Sequence, residues 1–271
     1  MKKIGFVDFY ISEWHANNYP AWIKAASDAI GEDFTVAYAW AEEDLSPVYN
    51  ETTDEWCEKF GVTRCDTIEE LCEKSDYIVI LSPSNPEKHL GYAEKVLTYG
   101  KNTYIDKTFA PDYATAKKIF DIAEKNGTKF FSSSALRYGS ELDGLSATRV
   151  DTTGGGGNIA EYIIHQAEMV IKVLRAEPCD VKVTKTENGY ECEASFEGGK
   201  SAKMTYAPKM PFALSADGGE LVDIKSDFFG LLIADILRFF IEGTTSFDVS
   251  ETLKVMKLRE AVVREVEKIK E

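Results

Sequence analysis

The stretch Tyr104-Ile105-Asp106-Lys107-Thr108-Phe109-Ala110-Pro111 decides the fold class. An apolar run ends in a charged pair and is followed by Asp112, a residue suited to cap a helix, so a strand hands over to a helix within a few positions. In an open α/β sheet that handover is the edge where ligands bind. Lys107 is therefore either a site residue or a solvated loop charge.

The same alternation extends on both sides. Lys3 to Phe9, Thr35 to Trp40, Val62 to Cys65, Tyr77 to Leu81, Asn102 to Asp106 and Lys129 to Ser133 read as strands. Most are nearly continuously apolar, as parallel strands covered on both faces should be. Helix signals join them: Pro20 suits the first position of a helix over Ala21 to Ile30, which Gly31 closes. Thr67 with Glu70 reads as a capping box, Pro86 opens a helix reaching Tyr99, and Asp112 caps one running to Asn126. Such regularity implies right-handed crossovers and a doubly wound parallel sheet over residues 1–135.

Near residue 136 the pattern changes. Thr152-Thr153-Gly154-Gly155-Gly156-Gly157 reads as a flexible connector, followed by an apolar helix from about Asn158 to Val173. Tyr190, Cys192, Ala194 and Phe196 then alternate with Glu191, Glu193, Ser195 and Glu197, the pattern of a half-buried antiparallel strand. Asn188-Gly189 reads as a two-residue hairpin turn with positive φ at both positions. Ala202, Met204 and Tyr206 alternate likewise, Glu220 to Lys225 follows Asp217-Gly218-Gly219, and two helices close the chain, Asp227 to Glu242 and one after Ser250. Residues 136–271 thus read as a smaller α+β domain with an antiparallel sheet, suited to substrate binding or oligomerisation.

Bulk properties narrow the function classes. At 271 residues the chain fits two domains, and 44% apolar with 28% charged residues is ordinary for a globular protein. No apolar run approaches the roughly 20 residues needed to span a bilayer, and Met1-Lys2-Lys3 leads straight into a strand pattern, so a cytoplasmic location is expected. A formal charge of -15 argues against nucleic acid or an anionic membrane as partner. Five cysteines without a C-x-x-C pair are expected to be reduced packing thiols, with no metal site.

The first strand-to-helix turn is where a phosphate-binding G-x-G-x-x-G is expected, yet Asp8-Phe9-Tyr10-Ile11-Ser12-Glu13-Trp14-His15 stands there. Asp8 and Glu13 would each repel a nearby phosphate charge by roughly 1 to 4 kcal/mol. Trp40 ends the second strand and either stacks on an adenine or packs against the sheet; Glu42, Glu43 and Asp44 after it favour NAD over NADP. The fourth strand ends in Ser82-Pro83-Ser84-Asn85-Pro86 with His89 beyond, a ligand crevice or an ordinary helix-opening loop. Glu161, His165 and Glu168 share one helix face, where a carboxylate can orient an imidazole for proton transfer. A solvent-facing polar stripe and a metal site are the other readings.

Four stretches together resemble the glucose-fructose oxidoreductase and inositol dehydrogenase family, Gfo/Idh/MocA: Lys3-Ile4-Gly5-Phe6-Val7 with His15-Ala16, Ser82-Pro83 with His89, Gly100-Lys101 to Lys107, and Glu161 to Glu168. The resemblance implies a Rossmann domain followed by an antiparallel-sheet domain. It also implies hydride transfer between NAD and a secondary alcohol of a sugar or polyol. On that reading Lys107 polarises the substrate oxygen, His165 exchanges its proton and Glu161 orients it. Asp8, Tyr10, Trp40, Ser82, Pro83, His89 and Asp106 would face the cofactor, the partner would be a sugar-like small molecule, and a homodimer is an expected assembly. The chain departs from the family pattern in its glycines, in Asp106 for Glu, in Glu161 for Asp and in Thr108 for Pro. The alternative is a diverged member without dinucleotide binding, either a small-molecule binding module or a non-redox lyase or hydrolase using Lys107 and His165.

Overall fold

In the computed structural model, which describes residues 1–270, the first strand β1 (Lys2–Asp8) runs parallel to every neighbour it meets. The chain continues through α1 (Trp14–Ile30), β2 (Phe34–Ala41), α2 (Thr53–Phe60), β3 (Thr63–Arg64), α3 (Ile68–Lys74), β4 (Tyr77–Ile80), α4 (His89–Val96), β5 (Thr103–Ile105), α5 (Tyr113–Asn126) and β6 (Phe130–Phe131). The strands form one sheet in the order β3-β2-β1-β4-β5-β6, all parallel. Its order reverses between β1 and β4, and a crevice at the carboxyl ends of those strands is the ligand position of such sheets. Ile4, Phe6, Val7, Ile78, Val79, Ile80 and Tyr104 are fully covered, which is why these strands carry apolar residues at successive positions. Gly5 leaves room for α3, since a Cβ there would stand 2.5 Å from the Leu71 side chain.

Helix α1 begins six residues before Pro20, not at it. Glu13 caps the helix with its carboxylate, and Pro20 lies inside. A proline in a helix gives up one backbone hydrogen bond, and here tertiary burial of His15, Ala16, Tyr19 and Ile23 outweighs that loss. The reciprocal capping box sits at Thr52 and Glu55, opening a helix the sequence pattern did not mark. At Thr67 the box is half formed: its hydroxyl accepts from the Glu70 amide, but the Glu70 carboxylate takes the Asp66 amide.

The second unit comprises Ser133–Leu231 and Ser250–Glu271, the first Met1–Ser132 and Leu232–Val249. It holds β7 (Arg149–Gly154), α6 (Ile159–Leu174), β8 (Pro178–Lys185), β9 (Tyr190–Phe196), β10 (Ser201–Tyr206), β11 (Ala213–Ala216) and β12 (Val222–Asp223). The remaining helices are α7 (Phe228–Glu242) and α8 (Glu251–Lys270). The sheet order is β12-β11-β7-β10-β9-β8. It is mixed rather than antiparallel throughout, because β7 and β10 pair in parallel. Helix α6 carries the chain over to β8 in the same sense as β7, and the turns on to β9 and β10 then lay β10 parallel beside β7.

Two turn expectations are corrected. The glycine run is no flexible connector: Gly154 ends β7, and its missing side chain admits the Phe212 ring, which a Cβ would meet at 2.5 Å. The β8–β9 hairpin forms, with the Thr186 amide donating to the Gly189 carbonyl, but positive φ falls at neither Asn188 nor Gly189. That hydrogen bond continues the Lys185–Tyr190 register and leaves Glu187 and Asn188 between the paired residues, one position earlier than the sequence pattern placed the turn. Gly189 is used for close approach instead, as a Cβ there would lie 1.9 Å from the Tyr206 carbonyl oxygen.

Most of α7 belongs to the first unit. Phe240 stacks on Tyr77 at 4.8 Å and Phe239 meets Phe131 edge-on at 5.0 Å. The Asn102 amide donates to the Phe239 and Phe240 carbonyls, satisfying groups that the helix end leaves without intrahelical partners.

Candidate functional site

The turn from β1 into α1 sets the chemistry of the first unit. Where a dinucleotide-binding loop offers bare amides at the helix start, Glu13 turns its own carboxylate onto them, accepting from the His15 amide at 2.7 Å and from the Ala16 amide. The positive end of the helix dipole is thus met by an internal anion. Ser12 donates to Glu51 at 2.6 Å and accepts from Ser46 through its carbonyl, fastening the turn to the loop after β2.

Behind this cap lies a buried group of ionisable side chains. His15 Nδ1 stands 2.9 Å from Asp106 Oδ2 and 3.8 Å from Glu13 Oε2. Asp106, just past β5, also accepts from the Tyr104 hydroxyl at 3.1 Å. Burial pushes its carboxyl up, but His15, with a smaller contribution from Lys107, outweighs that and brings it down to about 2. Asp8 is different. Burial first, and the Glu13 charge second, raise its carboxyl well above the usual range, although Oδ1 accepts from the Phe9 amide and from the Ser82 amide and hydroxyl. Its Oδ2 is buried without a hydrogen-bond partner. Glu13 is also raised, chiefly by burial.

The sign of the Asp8 shift gives a test. A carboxyl whose folded value lies above its unfolded value binds its proton better in the folded state, so stability is lost as pH rises through that window. Asp8→Asn is expected to gain on the order of 1 kcal/mol at about pH 8 and little at about pH 4. Urea midpoints at the two pH values measure the difference, and an equal effect at both would show that Asp8 is ionised in the fold.

The ends of β2 and β4 are occupied by their own contacts. Glu42 accepts from Lys88 at 2.5 Å and from the Tyr92 hydroxyl at 2.7 Å, which lowers its carboxyl. Lys88 lies 4.5 Å from the centre of the Phe9 ring. Trp40, half-buried, packs edge-on to Tyr92, and Tyr10 rests beside Phe9. Ser82, at φ +60°, ties Asp8 to the end of β4. His89 is fully buried, with Nδ1 at 3.0 Å from the Phe109 carbonyl and Nε2 at 2.5 Å from that of Leu81, so both ring nitrogens face backbone carbonyls, one of which receives the proton of the neutral ring that burial favours. Lys107, half-buried, approaches the Pro83 carbonyl at 3.4 Å.

In the second unit the stripe on α6 divides by environment. His165 Nδ1 lies 2.6 Å from the Ser134 hydroxyl, with Phe212 edge-on at 5.3 Å. Glu161 sits in the first turn and accepts from the Asn158 side chain at 3.1 Å, while Asn158 caps its amide. Glu168 points inward to Arg137 at 2.7 Å. Lys107 belongs to the first unit, His165 and Glu161 to the second. Glu13 and His15 were not among the site residues drawn from the sequence. Glutamate is not a usual cap, and nothing local to His15 signals a partner as distant in the chain as Asp106.

These side chains do not fit a diphosphate at the start of α1. The amides are taken by Glu13, and Phe9 and Ser12 carry side chains where a glycine loop has none.

Comparison with known proteins adds the following. Residues 25–134 match the profile of a family described as an oxidoreductase family with an NAD-binding Rossmann fold. An uncharacterised oxidoreductase of Escherichia coli K12, YhhX, is 28% identical over 98 residues, 36% of this chain and only 28% of that relative. Among solved structures, myo-inositol dehydrogenase from Lactobacillus casei in complex with NAD(H) and myo-inositol superposes with a TM-score of 0.79 at 10% identity, over 98% of this chain and 94% of that one. The UDP-N-acetylglucosamine 3-dehydrogenase GnnA from Acidithiobacillus ferrooxidans gives 0.74 at 14% identity over 99% of both chains. Biliverdin reductase from Synechocystis, in complex with biliverdin and NADP+, gives 0.71 at 14% identity over 97% of this chain and 98% of that one. At such identities the likeness to the solved structures is one of fold.

Proposed function

Because the chain belongs, through residues 25–134, to the Gfo/Idh/MocA oxidoreductase family, we propose that it is a diverged member acting on a small, neutral, sugar-like molecule without a bound dinucleotide. The observation that carries this reading is the Glu13 carboxylate on the His15 and Ala16 amides, in the place where a pyrophosphate would be held. Lys107 is the proposed ligand of the substrate oxygen in the first unit. His165 is proposed as a proton carrier in the second, with Glu161 as its orienting neighbour.

A second reading, NAD-linked oxidation of a secondary alcohol, is favoured by the family match, with NAD preferred over NADP because Glu42, Glu43 and Asp44 follow β2. Titration with NADH and NADPH to millimolar concentrations separates the two. Trp14, 46% exposed at the start of α1, supplies the fluorescence signal. No saturable quenching is expected with either nucleotide, whereas saturable quenching by NADH would restore the NAD-linked reading.

A further inference from the structure

We infer that a cavity of about 380 Å³ between the start of α6 and the β8–β9 hairpin holds the non-reacting part of a neutral sugar, with Tyr190 as the residue that sets its affinity. The inference rests on the sugar-like substrate class of the proposed function and names the groups that bind it.

Strand register builds the cavity. Lys185 on β8 pairs with Tyr190 on β9, and Tyr190 pairs with Tyr206 on β10. Directly paired residues send their side chains to the same side of a sheet, so the three stand abreast. Next in the row is Gly154 of β7, paired with Tyr206, which brings no side chain. Tyr206 is buried, and its hydroxyl donates to the Gly156 carbonyl at 2.8 Å, fixing the ring to the glycine run ahead of α6. Gly189 in turn seats the hairpin against the Tyr206 carbonyl. Both walls are held by the fold itself, so binding requires little ordering of the protein.

The lining selects the ligand. Tyr190, half-buried, and Pro208 give an apolar wall beside Tyr206. Around it, the Tyr190 hydroxyl and the side chains of Lys185, Glu187 and Asn188 have no hydrogen-bond or ion-pair partner among the described residues. An apolar wall with a rim of unengaged donors and acceptors suits a pyranose, which carries C–H groups on its faces and hydroxyls around its edge. Lys185 and Glu187 balance each other in charge, and a chain of net charge -15 disfavours an anion.

The cavity adjoins the proposed chemistry without containing it. Asn158 lines it and donates through its side-chain amide to Glu161 at 3.1 Å. Lys107, Glu161 and His165 lie outside its wall. A sugar seated here is held by groups that do not react.

The test is binding followed by saturation-transfer NMR, with D-glucose, D-galactose and cellobiose as neutral probes and D-glucose 6-phosphate as the charged one. The wild type is expected to bind at least one neutral probe saturably, and more tightly than the phosphate. Tyr190→Ala should weaken that binding roughly 10-fold or more, through loss of the apolar wall. Tyr190→Phe keeps the ring and should lose no more than about 3-fold. Asn188→Ala, at an exposed position, should weaken binding about 3-fold and carries the test if Tyr190→Ala fails to fold. Unchanged affinity in a folded Tyr190→Ala, or in Asn188→Ala where it stands in, overturns the site and leaves the sugar reading intact, since the sugar then binds elsewhere. Tighter binding of the phosphate overturns the neutral class. No saturable binding of any neutral probe overturns the site together with the sugar-like substrate of the proposed function.

Discussion

Gly155→Ala is expected to lower stability by about 3 kcal/mol, a loss read as a fall in the urea midpoint with an unchanged m-value. A Cβ at this position would stand 2.1 Å from the Ala207 carbonyl oxygen, 2.8 Å from the Met210 nitrogen and 2.9 Å from the Pro208 carbonyl carbon. All three are backbone atoms, so no rotamer change relieves the overlap, and the segment after β10 must move away from β7. Gly157, two residues on, is the internal control. Its Cβ would meet nothing closer than the Tyr162 ring at 3.8 Å, so Gly157→Ala is expected to be neutral or slightly stabilising through the unfolded chain. Equal losses in the two variants would show that the glycines serve flexibility, as the sequence pattern suggested, rather than close approach.

That contrast shows where the sequence was readable. Strands of the first unit stood out because a parallel sheet covered on both faces demands consecutive apolar residues, as in Ile78, Val79 and Ile80. Lys107 could be placed after β5 for the same reason. Strands β3 and β6, two residues each, are shorter than the sequence pattern drew them, although Cys65 and Lys129 beside them still hydrogen-bond to Ala39 and Thr103 of the neighbouring strands. Four glycines in a row look alike in sequence whether they bend freely or admit a neighbour, and only the positions of Phe212 and Ala207 decide between these. The His15–Asp106 pair was illegible because its partners meet only once β1 and β5 lie in one sheet. The missing glycine motif, by contrast, was plain in the sequence, and what replaces it, the Glu13 cap, needed the structure.

Arg137→Met should be the most damaging single change to a charged residue of the second unit. Arg137 is buried, with Nε 2.7 Å from Glu168 and Nη1 2.8 Å from Glu251, joining the turn at Ala135–Tyr138 to α6 and α8. Glu168 also accepts from the Ser134 amide at 3.1 Å, and its own carboxyl is already raised, chiefly by burial, with Arg137 the main opposing influence. Removing one partner of a buried pair leaves an uncompensated charge, which costs about 3 to 5 kcal/mol. The sign with pH follows from Glu168. With Arg137 gone its folded carboxyl rises further above the unfolded value, so the folded state holds the proton and stability falls as pH increases through that window. Urea midpoints for Arg137→Met should therefore lie further below the wild type at about pH 8 than at about pH 5. Adding Glu168→Leu removes the stranded carboxyl and should recover part of the loss at about pH 8, since a buried ion pair replaced by apolar side chains of similar volume is often close to neutral. If the double variant were no more stable than Arg137→Met alone, the loss would come from the packing of the arginine stem and its other contacts, not from the charge left on Glu168.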